Sequence, residues 1–268
     1  MAQAGPVALN GGTVQAPSGN PAVYHRTVCD ETSPGRGSRA EVSILTSAVL
    51  FDFGGTLDAD GVAWKSRFFR LCRDEGLPVV RERFDPVFHA VDDALVGGIP
   101  SSLSFEETVG RLATDLARAL GSADDAVSKR IAVRFVDDSL ERVRQNIPLL
   151  ARLSGRYRLG IVSNFYGNLV TVCHNAGIGA LFSVIVDSTR VGCVKPDPRI
   201  FQSALDVLET APADTVFVGD SLPRDMAGAR AIGMRHIWLA GDAAPHQAPC
   251  CPGDPVVHSF GDLEALLL

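Results

Sequence analysis

Five short apolar runs constrain what this chain can fold into. They are residues 47–53 (SAVLFDF), 157–163 (YRLGIVS), 183–187 (SVIVD), 215–219 (TVFVG) and 235–239 (RHIWL). Each is nearly continuous rather than alternating, the pattern of a strand buried on both faces. Helical periodicities lie between the later runs, at 167–176, 198–209 and 224–232. Strands alternating with helices predict an α/β fold: a Rossmann-like parallel sheet with helices on both faces. The interval before the second run is different. Residues 61–146 carry helical signals and no strand signal. AWKSRFFRLCRDEG reads as one helix, Ser104 with Glu107 forms a capping box opening FEETVGRLATDLARAL, and Asp124 to Gln145 is a further long helix. The expected organisation is an α/β core at 45–60 and 147–268, with a helical cap at 61–146 inserted after the first strand.

Open parallel sheets bind ligands at the carboxyl ends of their strands. Asp52 ends the first run, Ser163 and Asn164 the second, and Asp220 and Ser221 the fourth, with Asp225 one turn on. Lys195 follows the third run, in VGCVKPDPRIF. Three carboxylates, a hydroxyl and a lysine on one edge suit phosphoryl transfer. A carboxylate can be the nucleophile, a hard divalent cation takes oxygen ligands, and a lysine with hydroxyl donors offsets phosphate charge. Each residue also has a plain structural role. Asp52 could terminate a turn, Asp225 could favour a helix start, Asn164 could cap a helix, and Lys195 could be a solvated loop residue. Trp64, Phe68 and Phe69 are expected in the cap interior, and Arg67, Arg70, Arg81 and Arg83 in solvent.

The rest of the sequence narrows the class. A net charge of −6 over 268 residues gives no basic surface for nucleic acid. No run is long enough to span a membrane. Six cysteines, Cys29, Cys72, Cys173, Cys193, Cys250 and Cys251, show no metal-ligand spacing and are expected to be reduced thiols in a cytoplasmic protein. Residues 1–44 are rich in Gly, Pro, Ser and Ala without periodicity and are expected to be disordered. They have neither the basic start nor the apolar stretch of a secretory signal.

The order of these motifs resembles the haloacid dehalogenase (HAD) superfamily. Its first motif is matched by Asp52-Phe53-Gly54-Gly55-Thr56, its second by Ser163 in GIVSNF, its third by Lys195 in VKPDPRIF, and its fourth by Gly219-Asp220-Ser221 through Asp225. The resemblance covers residues 46 to 240 and implies a magnesium-dependent hydrolase, most simply a phosphatase of small phosphorylated metabolites. It implies Asp52 as nucleophile, forming an aspartyl-phosphate. It implies magnesium held by Asp52, the backbone of Gly54, Asp220 and Asp225. Thr56, Ser163, Asn164 and Lys195 would contact the substrate. A monomer or homodimer is expected.

One position departs from the family pattern. Phosphatases of this kind carry a second aspartate where this chain has Gly54, to protonate the leaving group and then activate water. Losing a general acid–base typically costs about 10²–10⁴ in rate. Four readings follow. The protein is a phosphatase using another acid, with Asp58 and Asp60 nearby, or preferring good leaving groups such as acyl and aryl phosphates. It is a metal-independent 2-haloacid dehalogenase, a branch that also lacks the second aspartate and whose pattern Asn164 fits, although its usual fourth motif is less acidic. It resembles phosphonoacetaldehyde hydrolase, which needs a cap lysine, here Lys65 or Lys129. Or it is a phosphate-binding or interaction protein without turnover.

Overall fold

The computed structural model describes residues 46–241, 249 and 253–268. The disorder expected at 1–44 lies outside those residues, as do Cys29, Cys250 and Cys251. Six strands form one sheet in the order β3-β2-β1-β4-β5-β6: β1 Ala48–Phe51, β2 Arg158–Ser163, β3 Val184–Asp187, β4 Thr215–Gly219, β5 Arg235–Leu239 and β6 Val256–Val257. Every pairing is parallel. The first five coincide with the apolar runs. β6, at two residues, is too short to carry a period.

β1 is central, and all four of its residues are fully buried. Its pleat divides them. Val49 and Phe51 join one apolar cluster, with Ile161, Val218 and the cap interior; Ala48 and Leu50 join another, with Phe201, Leu205 and Phe217. Phe51 is level with Ile161 of β2 and Val218 of β4. β2 runs on to Ser163 and β4 to Gly219, so the residues at and just beyond these three strand ends meet.

Four helices lie between β1 and β2: α1 Trp64–Asp74, α2 Arg81–Leu95, α3 Phe105–Ala119 and α4 Asp125–Ser154. The capping box opens α3, with Glu107 N donating to Ser104 Oγ at 3.2 Å and Ser104 N donating to the Glu107 carboxylate at 2.8 Å. Asp124 caps α4. Pro86 sits inside α2, which sequence patterning alone does not single out. Pro148 sits inside α4, which runs on to Ser154, so the boundary expected between 146 and 147 falls within a helix. Proline removes one helical hydrogen bond. The burial of Leu149, Leu150 and Leu153 beyond it offsets that loss. The core is completed by α5 Leu169–Asn175, α6 Ser188–Val191, α7 Pro198–Leu208, α8 Ala227–Ala231 and α9 Glu264–Leu267.

Cys72, Cys173 and Cys193 are free thiols. Burial pushes the Cys72 thiol up to about 12, and Cys173 higher still. Among the described residues no helix is long and apolar enough to cross a membrane.

Candidate active site

The level ends of β1, β2 and β4 deliver Asp52, Ser163 and Asp220 to one place. Asp52 is 6% exposed. Its Oδ1 accepts from Ser163 Oγ at 2.6 Å and from Phe53 N at 2.8 Å, and the Lys195 ammonium stands 2.8 Å away. Its Oδ2 takes no hydrogen bond among the described residues. Lys195 is buried and also reaches Asp225 Oδ1 at 2.6 Å, while Ser221 N donates to Asp225 Oδ2 at 2.9 Å. Both oxygens of Asp225 are thus engaged, and it acts on Asp52 through Lys195. Asn164 clasps the backbone of Lys195, accepting from its N–H at 2.7 Å and donating to its carbonyl at 3.2 Å. This fixes the lysine loop and makes Asn164 a positioning residue in this geometry. Thr56 is fully buried, with its hydroxyl 3.5 Å from Asp220 Oδ1. It borders the acidic cluster and does not line the cavity beside it.

Charge is out of balance here. Oxygens of Asp52, Asp220 and Asp225 lie within 4.8 Å of one another. Burial, together with Asp225 and Asp52, pushes the Asp220 carboxyl well above the ordinary range. Burial also raises Asp225, and Lys195 only partly opposes it. Burial works against the Lys195 ammonium, yet the two aspartates outweigh it and raise its pKa. Three carboxylates face one buried ammonium. A hard divalent cation fits this donor set, because oxygen ligands and uncompensated charge are what such an ion requires.

The glycines of FDFGGTLD have different reasons. Gly55 has φ 93°, in the left-handed region, and a Cβ there would come within 2.6 Å of Asp220 Oδ2. It is required on both counts. Gly54 has φ −76° and ψ 117°, which any residue can adopt. Instead the indole of Trp64 packs over it, with Nε1 3.1 Å from where a Cβ would sit.

The nearby acids expected as substitutes are occupied. Asp58 is 1% exposed and accepts from Gly55 N, Trp64 Nε1, Arg67 and Ser139 at 2.7, 2.8, 2.9 and 3.1 Å. Arg67 is therefore buried, not solvated as expected, whereas Arg70, Arg81 and Arg83 are exposed. Asp60 pairs with Arg142 at 3.0 Å and accepts from Phe260 N. Neither acid lines the cavity of about 470 Å³ that opens on Asp52, Ser163 and Lys195.

The cap side of that cavity is formed by Trp64, Lys65, Phe88, His89 and Asp92. Phe165, Tyr166 and Arg224 come from core loops. Trp64 thus faces the cavity, while Phe68 and Phe69 stay in the cap interior as expected. Lys65 sits 3.0 Å from Asp85 and 3.3 Å from His89. The Tyr166 hydroxyl donates to Asp92, joining core to cap, and burial raises the Asp92 carboxyl. Asp187, ending β3, accepts from Gly167 N and Leu169 N and so braces the loop that carries Tyr166. His89, Asp92, Tyr166 and Arg224 were not visible as site residues in the sequence. Tyr166 and Arg224 follow the ends of β2 and β4 without the apolar-to-polar signal that marks Ser163 and Asp220, and only the docking of α2 brings His89 and Asp92 over the sheet.

A family model for haloacid dehalogenase-like hydrolases matches residues 46–233. The chain belongs to that family. A bovine haloacid dehalogenase-like hydrolase domain-containing protein 3 is 40% identical over 84 residues, 31% of this chain and 34% of that one. The match spans about a third of that relative's length. A phosphoglycolate phosphatase of Cupriavidus necator is 29% identical over 235 residues, 85% of this chain and 96% of its own. Among solved structures, a putative HAD-hydrolase from Bacillus subtilis, bound to magnesium, has a TM-score of 0.52 at 20% identity, covering 82% of this chain and 98% of its own.

Proposed function

We propose that this HAD-like hydrolase is a magnesium-dependent phosphatase of a small phosphorylated metabolite. The observation that carries the reading is Asp52, held at one oxygen by Ser163 and Lys195 and open at the other. Oδ2 attacks the phosphorus as the bond from phosphorus to the ester oxygen breaks and that oxygen leaves with the electron pair, while the Lys195 ammonium with the Ser163 hydroxyl offsets the charge on the phosphoryl oxygens. Water then releases phosphate from the aspartyl-phosphate. Asp220 and Asp52, with the Gly54 carbonyl and the adjoining Asp225, would hold the cation. When bound, it would neutralise the acidic cluster and polarise the phosphoryl group. Without an acid at residue 54, and with Asp58 and Asp60 engaged elsewhere, substrates with good leaving groups are favoured.

The test is phosphate release with magnesium across alkyl, aryl and acyl phosphates, beside Asp52→Asn. The expected result is turnover of acyl and aryl phosphates, slower turnover of alkyl ones, and a dead control. Absence of release from every compound overturns the reading. Chloride release from 2-haloacids without magnesium would put dehalogenation in its place. One observation favours a second reading: of the two cap lysines, Lys65 lines the cavity. A Schiff base to phosphonoacetaldehyde would be trapped there by borohydride. The Asp85 carboxylate lies 3.0 Å from the Lys65 ammonium, so that ion pair must break before the amine can attack.

A further inference from the structure

We propose that the cavity over Asp52 takes a phosphate ester with a planar aromatic leaving group, seated against the indole of Trp64. The proposal rests on the phosphatase reading and narrows it to aryl phosphates.

Trp64 is held in place. Its Nε1 donates to Asp58 Oδ2 at 2.8 Å, and Asp58 is itself pinned by Gly55 N, Arg67 and Ser139. The indole packs 5.0 Å from Phe135 and 5.9 Å from Phe105 by ring centroids, so the cap interior backs it. It covers residue 54, on the loop that carries the nucleophile. Phe165 and Tyr166 continue the wall, with centroids 5.8 and 6.4 Å from the indole, and Phe88 joins it from α2. A cavity of about 470 Å³ has room for an aryl group beyond the phosphoryl group. Flat, rigid aromatic walls favour flat apolar ligands, through offset and edge contacts as well as burial.

The chemistry points the same way. The cap wall offers one carboxyl, Asp92, and it is bonded to Tyr166. Among the described residues no carboxyl lining the cavity besides the nucleophile is left free to act as the acid, and Lys65 and His89 are engaged with each other, Lys65 also with Asp85, so a leaving oxygen that needs no proton is favoured. A phenol ionises at about pH 10, whereas an alkoxide is about as basic as hydroxide and a far poorer leaving group. In the first step the bond from phosphorus to the aryl oxygen breaks as the bond to Asp52 Oδ2 forms. The electron pair leaves on the phenolate, which takes a proton from solvent. Water then breaks the bond between phosphorus and Asp52, giving phosphate. Acyl phosphates share the good leaving group but present nothing planar and aromatic to Trp64, so the two classes separate.

The experiment compares phenyl phosphate, acetyl phosphate and glycerol phosphate, with magnesium, in the wild type, Trp64→Ala and Trp64→Phe. The expected kcat/KM is highest for phenyl phosphate. Trp64→Ala should lower it about tenfold more than it lowers that for acetyl phosphate, mainly through KM, and Trp64→Phe should retain most of the preference. Equal or better use of acetyl phosphate by the wild type, or an equal fall for both compounds in Trp64→Ala, overturns the proposal. A calorimetric titration of the wild type with phenylphosphonate and methylphosphonate reads the wall without turnover or variants. At least about tenfold tighter phenylphosphonate supports it, even if no phosphate is released and the phosphatase reading has failed. Equal affinities overturn it.

Discussion

Asp52 and Asp58 lie on the same loop, both are buried, and they do opposite things. Asp58 meets four donors and one full charge, Arg67, whose guanidinium also lies 3.9 Å over the Phe135 ring. Its environment closes on itself. Asp52 shares one buried ammonium with Asp225, close to Asp220, and keeps an oxygen free of hydrogen bonds from the described residues. Its environment is left open toward a cavity. A buried carboxylate that is fully matched holds structure together; one left unmatched beside a cavity is suited to chemistry.

Substitution should separate the two. Asp52→Asn is expected to lower phosphate release by at least about 10⁴-fold, while its urea midpoint does not fall, since one of three crowded carboxylates loses its charge. A variant that kept turnover would erase the contrast. Asp58→Ala should do the reverse. It strands the Arg67 guanidinium in the interior, and breaking such a pair costs about 3–5 kcal/mol, readable by urea denaturation. An unchanged midpoint would mean that Arg67 finds water or another partner.

Magnesium sharpens the comparison at a smaller scale. At a hundredfold excess over its Kd a ligand adds about 2.7 kcal/mol, or about 5–10 °C in Tm for a domain of this size. Asp220→Asn should abolish that rise, and Asp58→Asn should leave it. The smallest effect concerns Asp92. Burial raises its carboxyl, so the folded state holds that proton more tightly than the unfolded chain. The stabilisation from that proton is fully present below the unfolded pKa of about 4 and is lost as pH rises through the folded value. Asp92→Asn should therefore raise Tm modestly at pH 8, with the gain fading by pH 4. A gain that persists at pH 4 would assign it to packing rather than charge.

The strand ends were legible because their signals are local. An apolar run stops, a polar residue follows, and parallel pairing must set those ends side by side. Asp52, Ser163 and Asp220 follow from that, with Asp225 one turn on; Lys195 lies past α6, in the loop that follows β3. The course of α4 through Pro148 was not legible, because the three leucines that hold its last turns are rewarded only by a sheet assembled from distant segments. Arg67 misled for the same reason: an arginine on a helix looks solvated until Asp58 and Ser139 are brought to it.

By itself the sequence determined the parallel α/β core, the helices between β1 and β2, and the polar residues gathered at one edge, since strand periodicity and strand order dictate what lies there. Only the tertiary structure decided what stands over that edge. It committed Asp58 and Asp60 to ion pairs, laid Trp64 across Gly54, and set His89 and Asp92 around the cavity that opens on Asp52. Those placements depend on how α1, α2 and α4 dock, and docking is a sum of long-range contacts that no local pattern contains.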